Sequence, residues 1–331
     1  MASALITTPP RRSARAIASA DLPLAVGPAT ISANGVSDPM SHVLTLVVDR
    51  ASATLTAPII ARVRDAIQGA APELLSPGEA AGIFCTAPPD PAAVGAALAG
   101  APVDAIATRA RGRRKGLLVA DMDSTIVTTE TLDELAAFVG LKERIAAITR
   151  RAMNGELDFA AALRERVGML KGLPLAALEA TWGRTVLTPG ARELVGTMRA
   201  HNATTALVSG GFSFFTSRVA AAVGFDLHHS NVLLDDGQAL SGEVAEPIQG
   251  KDAKLATLRE LAAARRLRMA ATLAVGDGAN DLPMLLEAGL GVAFHARPTV
   301  AAAARARVDH ANLRALLFAQ GYHAEEIVGA D

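Results

Sequence analysis

The stretch LLVADMDSTIV, residues 117–127, decides how the rest of the chain is read. It joins an apolar run, Leu117 to Ala120, to two acids, Asp121 and Asp123, with only Met122 between them and Ser124 and Thr125 behind. Neighbouring carboxylates repel and are better solvated in water than at the end of a buried strand. Either the pair caps a helix or fills a turn, or the chain needs two acids there. A lone D-x-D is common and by itself favours the turn.

Three apolar runs of this kind occur: GLLVA (116–120), TTALVS (204–209) and ATLAVG (271–276). None alternates polar with apolar, as expected of parallel strands buried on both faces. Helical patterns lie between them, among them TPGARELVGTMRAH (188–201) and KDAKLATLRELAAARR (251–266). Strand–helix alternation predicts an α/β, Rossmann-like, doubly wound parallel sheet. Each run ends in polar residues, DMDST, GGF and DGAND. Ligands bind beyond the carboxyl ends of strands in such sheets, so the three clusters should converge. The segment at about 130–187 reads as several helices where one would serve, which predicts a helical cap over the site. DLHHSNVLLDDGQALSGEV (226–244) holds Asp236-Gly237 between strand-like flanks and reads as a hairpin. There are no internal repeats.

Taken singly, SGG and DGAND are turn formers and Lys254 is an ordinary helix lysine. Their joint occurrence, in order, at strand ends and near a helix start defines a chemistry. Asp121, Asp123, Asp277 and Asp281 suit a hard divalent cation such as Mg²⁺, which would offset the repulsion within the acid pair. A carboxylate can attack phosphorus and form an aspartyl phosphate. Hydrolysis by that route also needs an acid/base, donors for the phosphoryl oxygens and positive charge. Asp123 suits the first role, Ser209 and the amides around Gly210 the second, and Lys254 with the cation the third. The residues alone thus point to metal-dependent phosphoryl transfer through aspartate.

DMDST, VSGGF, the lysine of KDAK and GDGAND resemble the four motifs of the haloacid dehalogenase superfamily, in order. DMDSTIVTTETLDELAAFVG, RAMNGELDFAAALRERVGMLKGLP, TPGARELV, VSGGFSFF and VGDGANDLPML are similar to the phosphoserine phosphatases of that superfamily, over about 115–318. The resemblance implies Asp121 as nucleophile and Mg²⁺ ligand, and Asp123 as acid/base with its carbonyl on the metal. It implies Asp277 as a metal ligand and Asp281 as its support. Ser209 and Gly210 would hold the phosphate, Lys254 orient and neutralise it, and Asn280 contact phosphate or nucleophile. Glu130 is placed against a substrate ammonium and Arg166 against a carboxylate, which the planar guanidinium fork fits. Met153 and Phe159 match apolar cap positions, and Arg164 is expected to face elsewhere. The implied activity is hydrolysis of O-phospho-L-serine, the last step of serine biosynthesis. Transfer to homoserine or another small alcohol, and an inactive serine- or phosphoserine-binding regulator, are the alternatives. His228 and His229 are expected on the surface, and Trp182 in packing.

Upstream, SHVLTLVV, TAPIIARVRDAIQGA, EAAGIFCTA, PAAVGAALAG and VDAIATRA read as strand, helix, strand, helix and strand. This predicts a small α+β unit over 41–110, with no acid pair or Gly-rich loop at a strand end. By position and element order it resembles an ACT-like ligand-binding or dimerisation domain, which implies serine sensing, a homodimer contact or neither. RARGRRKG (109–116) reads as a solvated linker to the hydrolase-like region, 115–331. Residues 1–40 carry Arg11, Arg12 and Arg15 but no acid before Asp21, loosely like a transit peptide. A disordered tail is the simpler expectation, and a start at Met40 is a third.

The 331 residues suit about two domains, and 20% charged against 50% hydrophobic residues is ordinary for a soluble globular protein. A net charge of −1 with 3% aromatics argues against a dedicated nucleic-acid binder. The single cysteine, Cys85, excludes an internal disulfide and reads as a buried thiol. No apolar run suits a membrane span, and a cytoplasmic location is expected.

Overall fold

β5 (Leu117–Ala120) lies inside a six-stranded sheet of order β12-β11-β10-β5-β6-β7, all parallel where paired. The computed structural model of the chain describes residues 40–153 and 157–329. Apart from Met40, the tail expected at 1–40 lies outside the described residues, as does the Met153 side chain.

In chain order the N-terminal elements are β1 (His42–Val47), α1 (Ala57–Ala66), β2 (Glu73–Ser76), β3 (Ala80–Cys85), α2 (Pro91–Leu98) and β4 (Asp104–Arg109). After β5 come the cap helices α3 (Thr131–Ala137), α4 (Lys142–Met153), α5 (Phe159–Gly168) and α6 (Ala176–Trp182). The chain continues through α7 (Ala191–Ala200), β6 (Thr204–Phe212), α8 (Ser213–Val223), β7 (Leu227–Asn231), β8 (Leu233–Asp235) and β9 (Leu240–Val244). It ends with α9 (Lys251–Ala264), β10 (Thr272–Gly276), α10 (Leu282–Glu287), β11 (Leu290–Phe294), α11 (Pro298–Ala303), β12 (Ala306–Val308) and α12 (Ala315–Ala319).

The strands of the large sheet feed two cores. Leu117, Val119, Ala206 and Val208 pack with Leu258 of α9 and Met284 of α10. Leu118, Ala120, Leu207 and Val275 pack on the other side with Leu194 of α7, Phe215 of α8 and Leu316 of α12. Burial of alternate residues on opposite faces is why the runs look uniformly apolar. β10 and β6 flank β5, so the three strands whose ends carry the polar clusters are neighbours. The cap leaves and rejoins the sheet on two adjoining segments: Thr128 N–H donates to Val186 O at 3.0 Å, and Thr188 N–H to Ile126 O at 2.9 Å.

Only part of the expected hairpin is one. β8 and β9 pair antiparallel around Asp236-Gly237, with Gly237 at φ +90° as such a turn requires. The LHHSN portion instead forms β7, a parallel edge strand of the large sheet. His228 and His229 are exposed there, as expected, and Trp182 packs half-buried against the core.

The N-terminal region is a β-α-β-β-α-β unit whose antiparallel sheet runs β2-β3-β1-β4. β2, short and half-exposed, was not expected. One sheet face carries Leu44, Leu46, Ala81 and Ile83 against α1 and α2. The other carries Val47, Ala80 and Ile106 into the core shared with α12, which explains a strand buried on both faces. Cys85 is a buried free thiol.

Buried polar bonds fasten this second face. Asp104, at the start of β4, accepts the backbone N–H groups of Asp309 (2.8 Å), His310 (3.1 Å) and Ala311 (2.7 Å). Arg314 and Glu79, 6% and 4% exposed, form a two-point pair at 2.8 and 3.0 Å. The basic segment is only in part the solvated linker expected: Arg109, Arg111 and Arg114 are exposed. Arg113 is buried and donates to Thr45 Oγ1 at 3.3 Å and Phe318 O at 3.2 Å, while Lys115 Nζ donates to Gly112 O and Ala270 O. Carbonyls ending α12 need donors, and Arg113 supplies one to Phe318 O.

Glu79→Ala would strand the Arg314 cation, whose next acid, Glu193, is 3.8 Å away. Urea unfolding should show a loss of about 3 kcal/mol, and the paired apolar replacement Glu79→Leu with Arg314→Met should recover most of it. Equal losses in both variants would contradict this account of the interface.

Candidate active site

The residue after β5, Asp121, continues the strand by donating its N–H to Val275 O at 3.0 Å, while its own carboxylate accepts Met122 N–H at 2.7 Å. The chain then turns over 122–126, with Ser124 at φ +54°, a left-handed conformation uncommon for a side-chain-bearing residue. That residue is held by Ser124 Oγ donating to Glu130 Oε1 at 2.8 Å. Met122 is more than a spacer, because its fully buried side chain anchors the turn in the core.

Asp123 points away from Asp121's partners. Its Oδ1 accepts Thr131 N–H at 2.9 Å and its Oδ2 accepts Ser209 Oγ–H at 3.2 Å. Burial first, and then the nearby Glu130 charge, push its pKa up to about 6. Ser209 Oγ in turn accepts Gly211 N–H at 2.8 Å. These residues form a bulge: Val208 pairs with His229 and Phe212 with Asn231, so β6 spends more residues than β7 over the same span. The bulge turns Ser209, Gly210 and Gly211 into the cavity.

At the end of β10, oxygen atoms of Asp121, Asp277 and Asp281 all lie within 4.8 Å of one another. Lys254 Nζ sits between Asp121 Oδ1 (2.7 Å) and Asp281 Oδ1 (2.5 Å). Asp281 Oδ2 accepts Gly278 N–H at 2.9 Å, so both its oxygens are engaged. Gly276 makes this packing feasible, since a β-carbon there would lie 2.4 Å from Asp281 Cγ. Burial, then Asp281, raise the Asp121 pKa well above the carboxylate range although Lys254 opposes the shift. Burial and Asp281 push Asp277 up to about 7. Burial disfavours the Lys254 cation, but Asp121 and Asp281 outweigh that and raise its pKa. Burial and the crowding of three acids around Lys254 both push the Asp121 and Asp277 carboxyls upward. The cluster's all-oxygen donors fit a hard divalent ion.

A cavity of about 560 Å³ opens on this cluster. Asp121, Asp123, Glu130, Phe159, Arg166, Ser209, Gly210, Asp277 and Asn280 all line it. Lys254 and Asp281, 3% and 0% exposed, lie one layer behind the wall. On α5, Arg166 is turned inward, donating to Thr149 Oγ1 at 3.0 Å and Ala162 O at 3.2 Å. Arg164 pairs outward with Glu246 at 2.6 Å, as expected of another face. Phe159 lies over the bulge, where a β-carbon on Gly210 would be 3.3 Å from its Cζ. Sequence reasoning missed Thr149 and Thr131. Neither carries a local signal, because each matters only through a partner the fold brings to it.

The model of the haloacid dehalogenase-like hydrolases matches residues 118–286, and the chain belongs to that family. A phosphoserine phosphatase of Streptococcus thermophilus is 46% identical over 186 residues, covering 56% of this chain and 86% of the relative. A phosphoserine phosphatase solved as a phospho-aspartyl intermediate analogue has a TM-score of 0.57 at 37% identity, over 62% of this chain and 98% of that one. A haloacid dehalogenase family hydrolase of Salmonella enterica serovar Typhi reaches a TM-score of 0.73 at 29% identity, over 85% of this chain and 98% of that one. The chain is an enzyme of the phosphatase type.

The acid cluster predicts a pH signature. A carboxyl whose pKa rises on folding supports the folded state fully below its unfolded value, near 3.8, and loses that contribution as pH passes its folded value, about 6 for Asp123 and 7 for Asp277. In chelator, therefore, this contribution to Tm should fall between about pH 4 and 7. Excess MgCl2 should raise Tm more at about pH 7.5 than at about pH 5, because ligands must first lose their protons. A gain independent of pH would remove the cluster as the cation site.

Proposed function

We propose that the chain hydrolyses O-phospho-L-serine to L-serine and inorganic phosphate, with Mg²⁺ as cofactor and through an aspartyl phosphate, as the last step of serine biosynthesis. The observation that carries the reading is the shared cavity: Glu130 and Arg166 line the same chamber as Asp121 and Asp123. One wall suits a phosphate, and the other offers a carboxylate and a guanidinium to an ammonium and a carboxylate. Arg166 spends donors on Thr149 and Ala162, which orients the fork and leaves others of its five for substrate.

In the first step an Asp121 oxygen attacks phosphorus, the phosphorus–Oγ ester bond breaks, and Asp123 gives its proton to the departing serine oxygen. In the second, Asp123, now a carboxylate, takes a proton from water as the water oxygen attacks phosphorus. The Asp121–phosphorus bond then breaks and phosphate leaves. The pKa of about 6 for Asp123 suits both halves. Ser209 and Gly210 line the cavity where they would meet the phosphoryl oxygens, and Lys254 holds Asp121 in place. Asp121, Asp277 and the Asp123 carbonyl would hold Mg²⁺, with Asp281 behind them. Bound there, the ion supplies positive charge against the phosphoryl oxygens.

Phosphoserine incubated with Mg²⁺ should release free phosphate without any added alcohol. Transfer dependent on homoserine would instead support the phosphotransferase, and no turnover of any small phosphomonoester would sink both. Asp121→Asn should abolish turnover while keeping the fold. Arg166→Ala should lower kcat/KM for phosphoserine roughly 10- to 100-fold, with little change for phosphoethanolamine, which lacks the carboxylate. Equal losses on both esters would remove Arg166 from substrate recognition.

A further inference from the structure

Asn231, the last residue of β7, is 2% exposed and absent from the cavity wall. Its side chain makes three bonds to two separate backbone segments. Nδ2–H donates to Gly210 O at 2.9 Å and to Gln249 O at 3.3 Å, and Oδ1 accepts Gln249 N–H at 2.7 Å. The amide orientation is set by this network, since two carbonyls need the nitrogen and one N–H needs the oxygen. Both segments serve the phosphate end of the cavity. The bulge at 209–211 has left the β6–β7 ladder, so Gly210 O has lost its strand partner. Gln249 immediately precedes Gly250 and the start of α9, which carries Lys254 one turn further on. Phe159 spans the same joint, where β-carbons on Gly210 and Gly250 would lie 3.3 and 3.5 Å from its ring.

We infer that Asn231 is a positioning residue that fixes the bulge and the Lys254 helix in one register, so that phosphoryl donors and the cation behind Asp121 act together. No other side chain of similar size carries two donors and an acceptor on one rigid amide. Aspartate has the same shape but would set a carboxylate against two carbonyls. The inference rests on the phosphomonoesterase reading for its catalytic consequence and on geometry for the joint itself.

Asn231→Asp, with Asn231→Ala as a second variant, tests it. Per correctly folded molecule, kcat/KM should fall roughly 10- to 100-fold, and by the same factor for phosphoserine and phosphoethanolamine, because only the phosphate end is disturbed. Inhibition by inorganic phosphate should weaken in parallel. Hydrogen exchange at 209–211 and at 249–254 should quicken together in either variant. A variant with lowered Tm but wild-type kcat/KM and phosphate inhibition would reduce Asn231 to a structural residue and overturn the inference. So would quickened exchange confined to one segment. If the wild-type protein hydrolyses no phosphomonoester, the functional reading fails by itself, and paired exchange with weakened phosphate binding still decides the role of Asn231.

Discussion

Charge crowding at the carboxyl end of β5 and β10 is the constraint on which the site depends. Asp121, Asp277 and Asp281 converge in a largely dry place with Lys254 bridging two of them. Such an arrangement would not persist on a flexible loop, because repulsion would push the acids into water. It is held by strands buried on both faces, by the Gly278 N–H on Asp281 and by a glycine at 276 that leaves room for that carboxylate. The rigidity of the sheet is thus what allows the acids to be poised for a cation.

Division of labour within DMDST follows from the same geometry. Asp121 stays with the lysine and the acid cluster, whereas Asp123 turns to Ser209 and the Thr131 amide. Residues two apart in sequence therefore sit in different electrostatic surroundings. One sits against a lysine and two further acids, the other against a hydroxyl and a backbone amide.

The N-terminal sheet is integrated with the hydrolase fold. Its second face is covered by α12, and Asp104, Glu79 and Arg113 place buried polar groups across the junction. Buried pairs of this kind tolerate poor geometry badly, so they define one docked arrangement.

How much was legible depended on the range of the interaction. Strand runs, cap helices and the four motifs could be read because burial on both faces and helical periodicity leave local marks. β2 was missed because four residues, of which only Leu75 and Ser76 are buried, leave almost none, and LHHSN was assigned to a hairpin because a parallel edge strand looks no different from an antiparallel one. Arg113 resembled a solvated cation because charge is visible in a sequence and its partners, Thr45 and Phe318, are not. The sequence by itself determined the strand–helix order, the kinds of acid and donor at each strand end, and hence the class of chemistry. Only the tertiary structure decided that β6, β5 and β10 are neighbours, that Lys254 stands behind the cavity wall, and that Asn231 ties the bulge to α9. Each of those is a contact between residues far apart in the chain, set by packing that no local pattern encodes.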